Sequence, residues 1–269
     1  MGTVVSFDLR PGDLDERALR DALDLSCAAL HEGDDQLSTW KPDSPMSRIR
    51  RGELALRDAP AGVAEVLRRC AEARELSGGS FDPWKMPGGV DPTGLAKGWI
   101  AERALERLRV AGVAAAMVNA GGDVAAFGEP EPGRRWRIGV LDPRAPGALL
   151  GVVLLDGAVA TSGTYERGDH IVDPSSGLPA RELVSATVTG PDLALADALS
   201  TGLFAAGERG LPAIESLEAY EALAMDTEGR LIATGGFRLQ RLGSEAAQRR
   251  RGRRRTRRRR PRSAHRAPR

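Results

Sequence analysis

LVSATVTGPDLALADALSTGLFAAG, residues 183–207, changes period across a single Gly-Pro-Asp break. Its first eight residues read as a β-strand, rich in Val and Thr. The remainder, LALADALSTGLFAAG, reads as a helix that is apolar on nearly every side, the pattern of an element enclosed by its neighbours. Asp197 stands in the middle of that helix.

Working outward, TVVSFDL alternates as a first strand, and DERALRDALDLSCAALHEGD has the i, i+3, i+4 spacing of an amphipathic helix ending near Gly33. QLSTWKPDSPMSRIRRG is too rich in Ser, Pro and Arg for a core and reads as a ligand-holding loop. PAGVAEVLRRCAEARELSGG is a second helix, opened by proline and stopped by a glycine pair. SFDPWKMPGGVDPTGLAKGW leads into the helix AKGWIAERALERLRVAG. AAMVNAGG, DVAAFGE and RWRIGVLD are successive strands, and LLGVVLLDGAVATSG adds another. LPAIESLEAYEAL is expected to be a helix and LAMDTEGRLIATGG a hairpin around a Glu-Gly turn. With no steady βαβ rhythm, the class is α+β: one domain of mixed, mainly antiparallel sheet with packed helices.

The overall charge of +2 hides a division, because residues 249–269 contain 13 of the 39 Lys and Arg and no acid. The other 26 basic residues face 37 acids, so the body carries about −11. From Ser244 onward the Arg-rich sequence cannot bury enough apolar surface to fold, which sets the expected division at a domain over 1–240 and a disordered basic tail over 241–269. Such a tail grips phosphates through charge, yet it has no aromatic residue for base stacking, so no specific nucleic-acid partner is expected. Cys27 and Cys70 lack metal or redox spacing and read as free buried thiols. No leader precedes MGTVVSFDL and no membrane segment is present, so the chain as given reads as cytoplasmic.

Three segments carry chemistry. Asp197 and Thr201 are four apart on one helix face, an acid and a hydroxyl suited to an oxygen-loving cation such as magnesium. An Asp paired with an Arg from a neighbouring element is the competing reading. His170 lies in a Gly- and Pro-rich turn, where a neutral imidazole accepts a proton; a plain surface-loop histidine is the alternative. NAGGDV, residues 119–124, lets a ligand approach the backbone closely, and DPTGLAKG places a lysine near a helix N-terminus, where phosphate binds. Neither segment is a dinucleotide fingerprint or a P-loop.

The ordered set MGT, STWKPDSPMSRI, SFDPW, DPTGLAKGW, NAGGD, ATSGTYERGDHIVDPSSG and ADALST resembles the ApbE family of FAD:protein FMN transferases, from Met1 to about Gly236. The resemblance implies a T-fold-like domain that binds FAD and Mg2+, splits the pyrophosphate, releases AMP and attaches FMN to a Thr or Ser of an acceptor protein. It further implies a metal site from Asp197, Thr201, the neighbouring Ser200 and the carbonyl of Gly94. His170 becomes the catalytic base, with Val172 beside the cofactor. FAD contacts are implied for Met1, Trp40, Ser80, Phe81, Asp82, Asp91 and Lys97, while Asp123 is either structural or a support for the site. An FAD pyrophosphatase and a flavin-binding protein without turnover are the alternatives.

Overall fold

The structure is a computed structural model that describes residues 2–155, 157–163 and 171–241. Its strands are Val5–Arg10 (β1), Ala115–Ala120 (β2), Asp123–Phe127 (β3), Trp136–Leu141 (β4), Leu149–Leu155 (β5), Gly157–Gly163 (β6), Leu183–Gly190 (β7), Glu221–Asp226 (β8) and Leu231–Ala233 (β9). The helices are Glu16–Leu37 (α1), Pro45–Arg50 (α2), Ala61–Leu76 (α3), Thr93–Val110 (α4), Leu193–Ala206 (α5) and Leu211–Glu215 (α6). Seven strands form one sheet in the order β1-β2-β3-β6-β7-β8-β9, and every neighbouring pair is antiparallel. β4 and β5 form a separate hairpin. The expected α+β class, with its mainly antiparallel sheet, is the observed one.

Strand alternation sorts residues between the two sheet faces. Ala116, Val118, Ala120, Ala125, Ala158, Ala160, Ala186, Ala222 and Ala224 join the core beneath α4 and α5. Ala115, Val124, Ala126 and Val159 join Trp136 and Leu155 of the hairpin on the opposite face. The helix-facing surface is therefore mostly alanine, which lets α5 lie close against it. That explains a helix apolar all round: its Leu199, Leu203 and Phe204 meet the sheet, while Ala194 and Ala198 meet a second core formed with α3 and α4.

Several sequence expectations change. α1 runs past Gly33 to Leu37 because that glycine makes room for α4: a Cβ there would lie 2.6 Å from Ile100 Cγ1. QLSTWKPDSPMSRIRRG contains α2, capped by the Ser44 side chain on Ser47 N. LLGVVLLDGAVATSG supplies two strands in different sheets, β5 and β6. The LPAIESLEAYEAL helix ends at Glu215, and the chain extends into β8. There Ala222 and Ala224 face the helices and Leu223 faces the hairpin, a period of two that a helix cannot satisfy. Cys27 is exposed, so only Cys70 is the buried thiol expected. The residues beyond Arg241, including the Arg-rich tail, lie outside the described part. Gln240 exchanges two backbone hydrogen bonds with Val152 of β5.

α5 is fixed at its N-terminus. Gly98 of α4 allows the helices to touch, since a Cβ at that position would lie 2.6 Å from Leu193 O and 2.8 Å from Ala194 Cα. Asp192 caps α5 through Leu195 N at 2.7 Å and binds Arg69 of α3. Glu102 of α4 accepts from Leu193 N. Burial, aided by Asp192, pushes the Glu102 carboxyl up from its ordinary 4.5 to about 7.

The folded protein thus holds the Glu102 proton more tightly than the unfolded chain does. Stability attributable to this group is greatest below about 4.5 and declines as pH rises to about 7. Glu102→Gln keeps an oxygen for Leu193 N and removes the titration. Urea unfolding is expected to show the variant matching the parent at pH 4 and exceeding it by up to about 3 kcal/mol at pH 8. Parallel pH profiles for the two proteins would contradict this.

Candidate functional site

A cleft of about 400 Å³ opens where the first turns of α4, the middle of α5 and the end of β6 converge. Residues 38–40, 80–83, 86 and 87 line one part of it, and Ile171, Val172 and Pro174 line another. Of the implied site residues, Trp40, Ser80, Phe81, Asp82, Asp91, Gly94, Lys97, Val172, Asp197 and Thr201 all line it. Met1 and His170 lie outside the described residues.

The floor holds the charged groups. Asp197 is 3% exposed, and its Oδ2 is buried with no hydrogen-bond partner among the described residues. Burial drives its carboxyl well above the usual carboxylate range; Lys97 and a backbone hydrogen bond from Gly98 oppose that shift, and Asp123 reinforces it. Asp123 is fully buried at the start of β3, accepts Thr161 N at 2.9 Å, and forms an ion pair with the Lys97 ammonium. When ionised, two buried carboxylates face one lysine, and the floor is short of one positive charge.

Gly94 brings the backbone of α4 against Thr201, since a Cβ on it would lie 3.0 Å from Thr201 Oγ1 and 3.1 Å from Phe81 Cε2. The three proposed oxygen donors therefore belong to two helices in contact. A carboxylate, a hydroxyl and a carbonyl form an all-oxygen set suited to a hard divalent cation. The orphaned Oδ2 supplies the position such an ion would fill, so the residues present fit Mg2+. Ser200 is placed differently: it is fully buried, does not line the cleft, donates to Asp197 O at 2.9 Å and lies 2.8 Å from Ser162 Oγ.

The walls are cross-linked. Arg50 of α2 reaches Asp91 at 2.9 Å and Pro87 O at 3.0 Å, tying STWKPDSPMSRI to the DPTGLAKG turn. Asp91 also accepts Thr93 N at 3.0 Å. Asp82 is buried, accepts from Trp84 N and pairs with Arg74 at 2.8 Å. Both acids thus already carry structural bonds within the protein. Trp40 is 90% exposed at the rim and presents an open indole face. In NAGGD, Gly121 takes φ +63° and a Cβ there would lie 2.2 Å from Thr3 Oγ1, so the turn requires glycine.

The residues that sequence reasoning missed are Arg50, Arg74 and Ser162. Ser162 lines the cleft from the ATSG motif, and its neighbours Ser200 and Thr201 were visible only as a separate segment. Nothing in the spacing links Arg50 with Asp91, 41 residues later.

The ApbE family model matches residues 1–88 and 85–224. The chain belongs to the ApbE family. Among ApbE relatives, the FAD:protein FMN transferase of Klebsiella pneumoniae (strain 342) is 37% identical over 163 residues, covering 56% of this chain and 50% of that protein. The FAD:protein FMN transferase of Rhodobacter capsulatus is 31% identical over 251 residues, 87% of this chain and 46% of that protein. The chain thus spans about half the length of these two relatives. The protein of the same name from Vibrio cholerae serotype O1 is 27% identical over 85% of this chain and 86% of its own length. Two solved ApbE structures show the same fold. The flavin transferase from Vibrio cholerae superposes with a TM-score of 0.75 at 23% identity, covering 88% of this chain and 95% of that one. The ApbE protein from Thermotoga maritima superposes at 0.74 and 23% identity, covering 89% and 100%. No helix among the described residues is long and apolar enough to cross a membrane.

The buried orphan atom makes a stability prediction. In metal-free buffer, Asp197→Ala removes a buried carboxyl whose Oδ2 has no hydrogen-bond partner and is expected to stabilise the fold by about 1–3 kcal/mol in urea unfolding. A lower midpoint than the parent would mean that Oδ2 is bonded in the folded protein.

Proposed function

We propose that the chain is a magnesium-dependent FAD:protein FMN transferase. The observation that carries the reading is the buried Asp197 carboxyl, its Oδ2 without a hydrogen-bond partner among the described residues, set in the cleft with Thr201 and Gly94. The names of the relatives support it, one of them matching 87% of the chain.

In this reading Asp197, Thr201 and the Gly94 carbonyl hold Mg2+, with Ser200 acting from behind through its hydrogen bond to the Asp197 backbone. Held by these residues, a divalent ion would supply charge neutralisation at the pyrophosphate and polarisation of the phosphorus under attack. The N-terminus of α4 and Lys97 face the same phosphates, the former through backbone dipoles and the latter as a point charge. Trp40 offers a stacking face for a flat ring, Phe81 and Val172 supply apolar wall, and Ser80, Asp82 and Asp91 supply polar wall. The Met1 contact rests on the motif alone.

An acceptor Thr or Ser hydroxyl attacks the FMN phosphorus of FAD. The new O–P bond forms as the P–O bond to AMP breaks, and AMP leaves with the bridging oxygen. His170, on the strength of its motif, takes the hydroxyl proton. The acceptor is a protein, and its identity is set by surfaces beyond the cleft.

Incubation with FAD, Mg2+ and an acceptor protein is expected to give a fluorescent flavin band on a denaturing gel, with one AMP released per flavin attached. Asp197→Ala should lower AMP release about 1,000-fold, as loss of several kcal/mol of charge stabilisation requires. Equal release of free FMN and AMP with no labelled acceptor would identify a pyrophosphatase instead. Full activity of the alanine variant would remove Asp197 from the mechanism.

A further inference from the structure

Three hydroxyls meet beneath the cleft, and counting their hydrogens fixes the direction of their bonds. Each hydroxyl has one hydrogen to give and two lone pairs. Ser200 Oγ lies 2.9 Å from the carbonyl oxygen of Asp197, which can only accept, so the Ser200 hydrogen is committed there. Toward Ser162 Oγ, 2.8 Å away, Ser200 is then the acceptor, and this commits the Ser162 hydrogen in turn. Ser162 has only a lone pair left for Thr201 Oγ1 at 3.2 Å, so Thr201 must be the donor. The relay runs from Thr201 to Ser162 to Ser200 and ends on the Asp197 backbone.

A hydroxyl that ligates a cation presents a lone pair and must send its hydrogen elsewhere. We propose that Ser162 is a positioning residue of the divalent-cation site: by accepting the Thr201 hydrogen, it keeps the lone pairs of Thr201 available to the ion. Ser162 itself touches neither ion nor substrate in this account. Its place at the end of β6 also couples the cation site to the sheet, because Thr161 beside it donates its backbone N–H to Asp123. Without Ser162, the Thr201 hydrogen turns either into the cleft or back to the Asp197 carbonyl one turn earlier, the usual acceptor of a helical threonine. This inference rests on the reading of Thr201 as a ligand.

The test is titration of the full chain with Mn2+ alone, following the free ion by paramagnetic resonance, with thermal unfolding recorded for each variant. Ser162→Ala is expected to weaken Mn2+ binding about 10-fold, the usual scale for a residue that orients a metal ligand. Ser162→Thr, which keeps the hydroxyl, should restore affinity to within about 2-fold of the parent, and in a Thr201→Val background Ser162→Ala should add less than about 2-fold. If Thr201→Val weakens Mn2+ binding and Ser162→Ala does not, the relay is irrelevant and the inference falls while the ligand reading stands. If Ser162→Ala weakens binding equally in both backgrounds, Ser162 acts through general packing and the inference likewise falls. If Thr201→Val leaves Mn2+ affinity unchanged, the parent reading of Thr201 fails.

Discussion

A carboxylate oxygen removed from water without a hydrogen-bond partner is among the costliest features a core can hold, and Asp197 Oδ2 has that position. Much of the surrounding architecture serves to keep it there. An alanine-lined sheet lets α5 sink until its middle turn is enclosed. Gly98 lets α4 close over it from the other side, so that Lys97 and Gly94 reach the same floor. The N-terminus of α5 is fixed by Asp192, Glu102 and Arg69, which leaves the helix little freedom to turn the acid toward solvent.

Electrostatics turns that rigidity into selectivity for charge. Lys97 pairs with Asp123 and opposes the burial-driven shift of Asp197, so two acids act on one lysine; in the proposed reading one further cation completes the balance. Oxygen donors alone define its character as hard and strongly hydrated. Above the floor, the cleft changes from charged to apolar and aromatic toward Phe81 and Trp40, a gradient that suits a ligand with phosphate at one end and a flat ring at the other. The walls are braced by ion pairs, Arg50 with Asp91 and Arg74 with Asp82.

The sequence disclosed the parts of this arrangement that depend on local period and missed those that depend on contact. The buried character of α5 was legible because apolar residues surround Asp197 on every helical face, and the proximity of Thr201 followed from a spacing of four. The antiparallel class was legible from short strands lacking a βαβ rhythm. Gly33 read as a stop because a glycine leaves no sequence record of Ile100 filling its space. The helix expected from Leu211 stopped at Glu215, and from Glu221 alternation between the two sheet faces replaced a helical stripe. Ser162 and Arg50 act on partners tens of residues away, and single-chain spacing has no means of expressing such a bond.

The central claim is that Asp197 is held out of water to grip a divalent ion. Crystals grown with FAD and Mn2+, measured for anomalous scattering, test it most directly. The account predicts an anomalous peak bound to the Asp197 carboxylate, Thr201 Oγ1 and the Gly94 carbonyl at about 2.2 Å, next to the pyrophosphate. A peak elsewhere in the cleft, with Asp197 bonded only to protein, would contradict it.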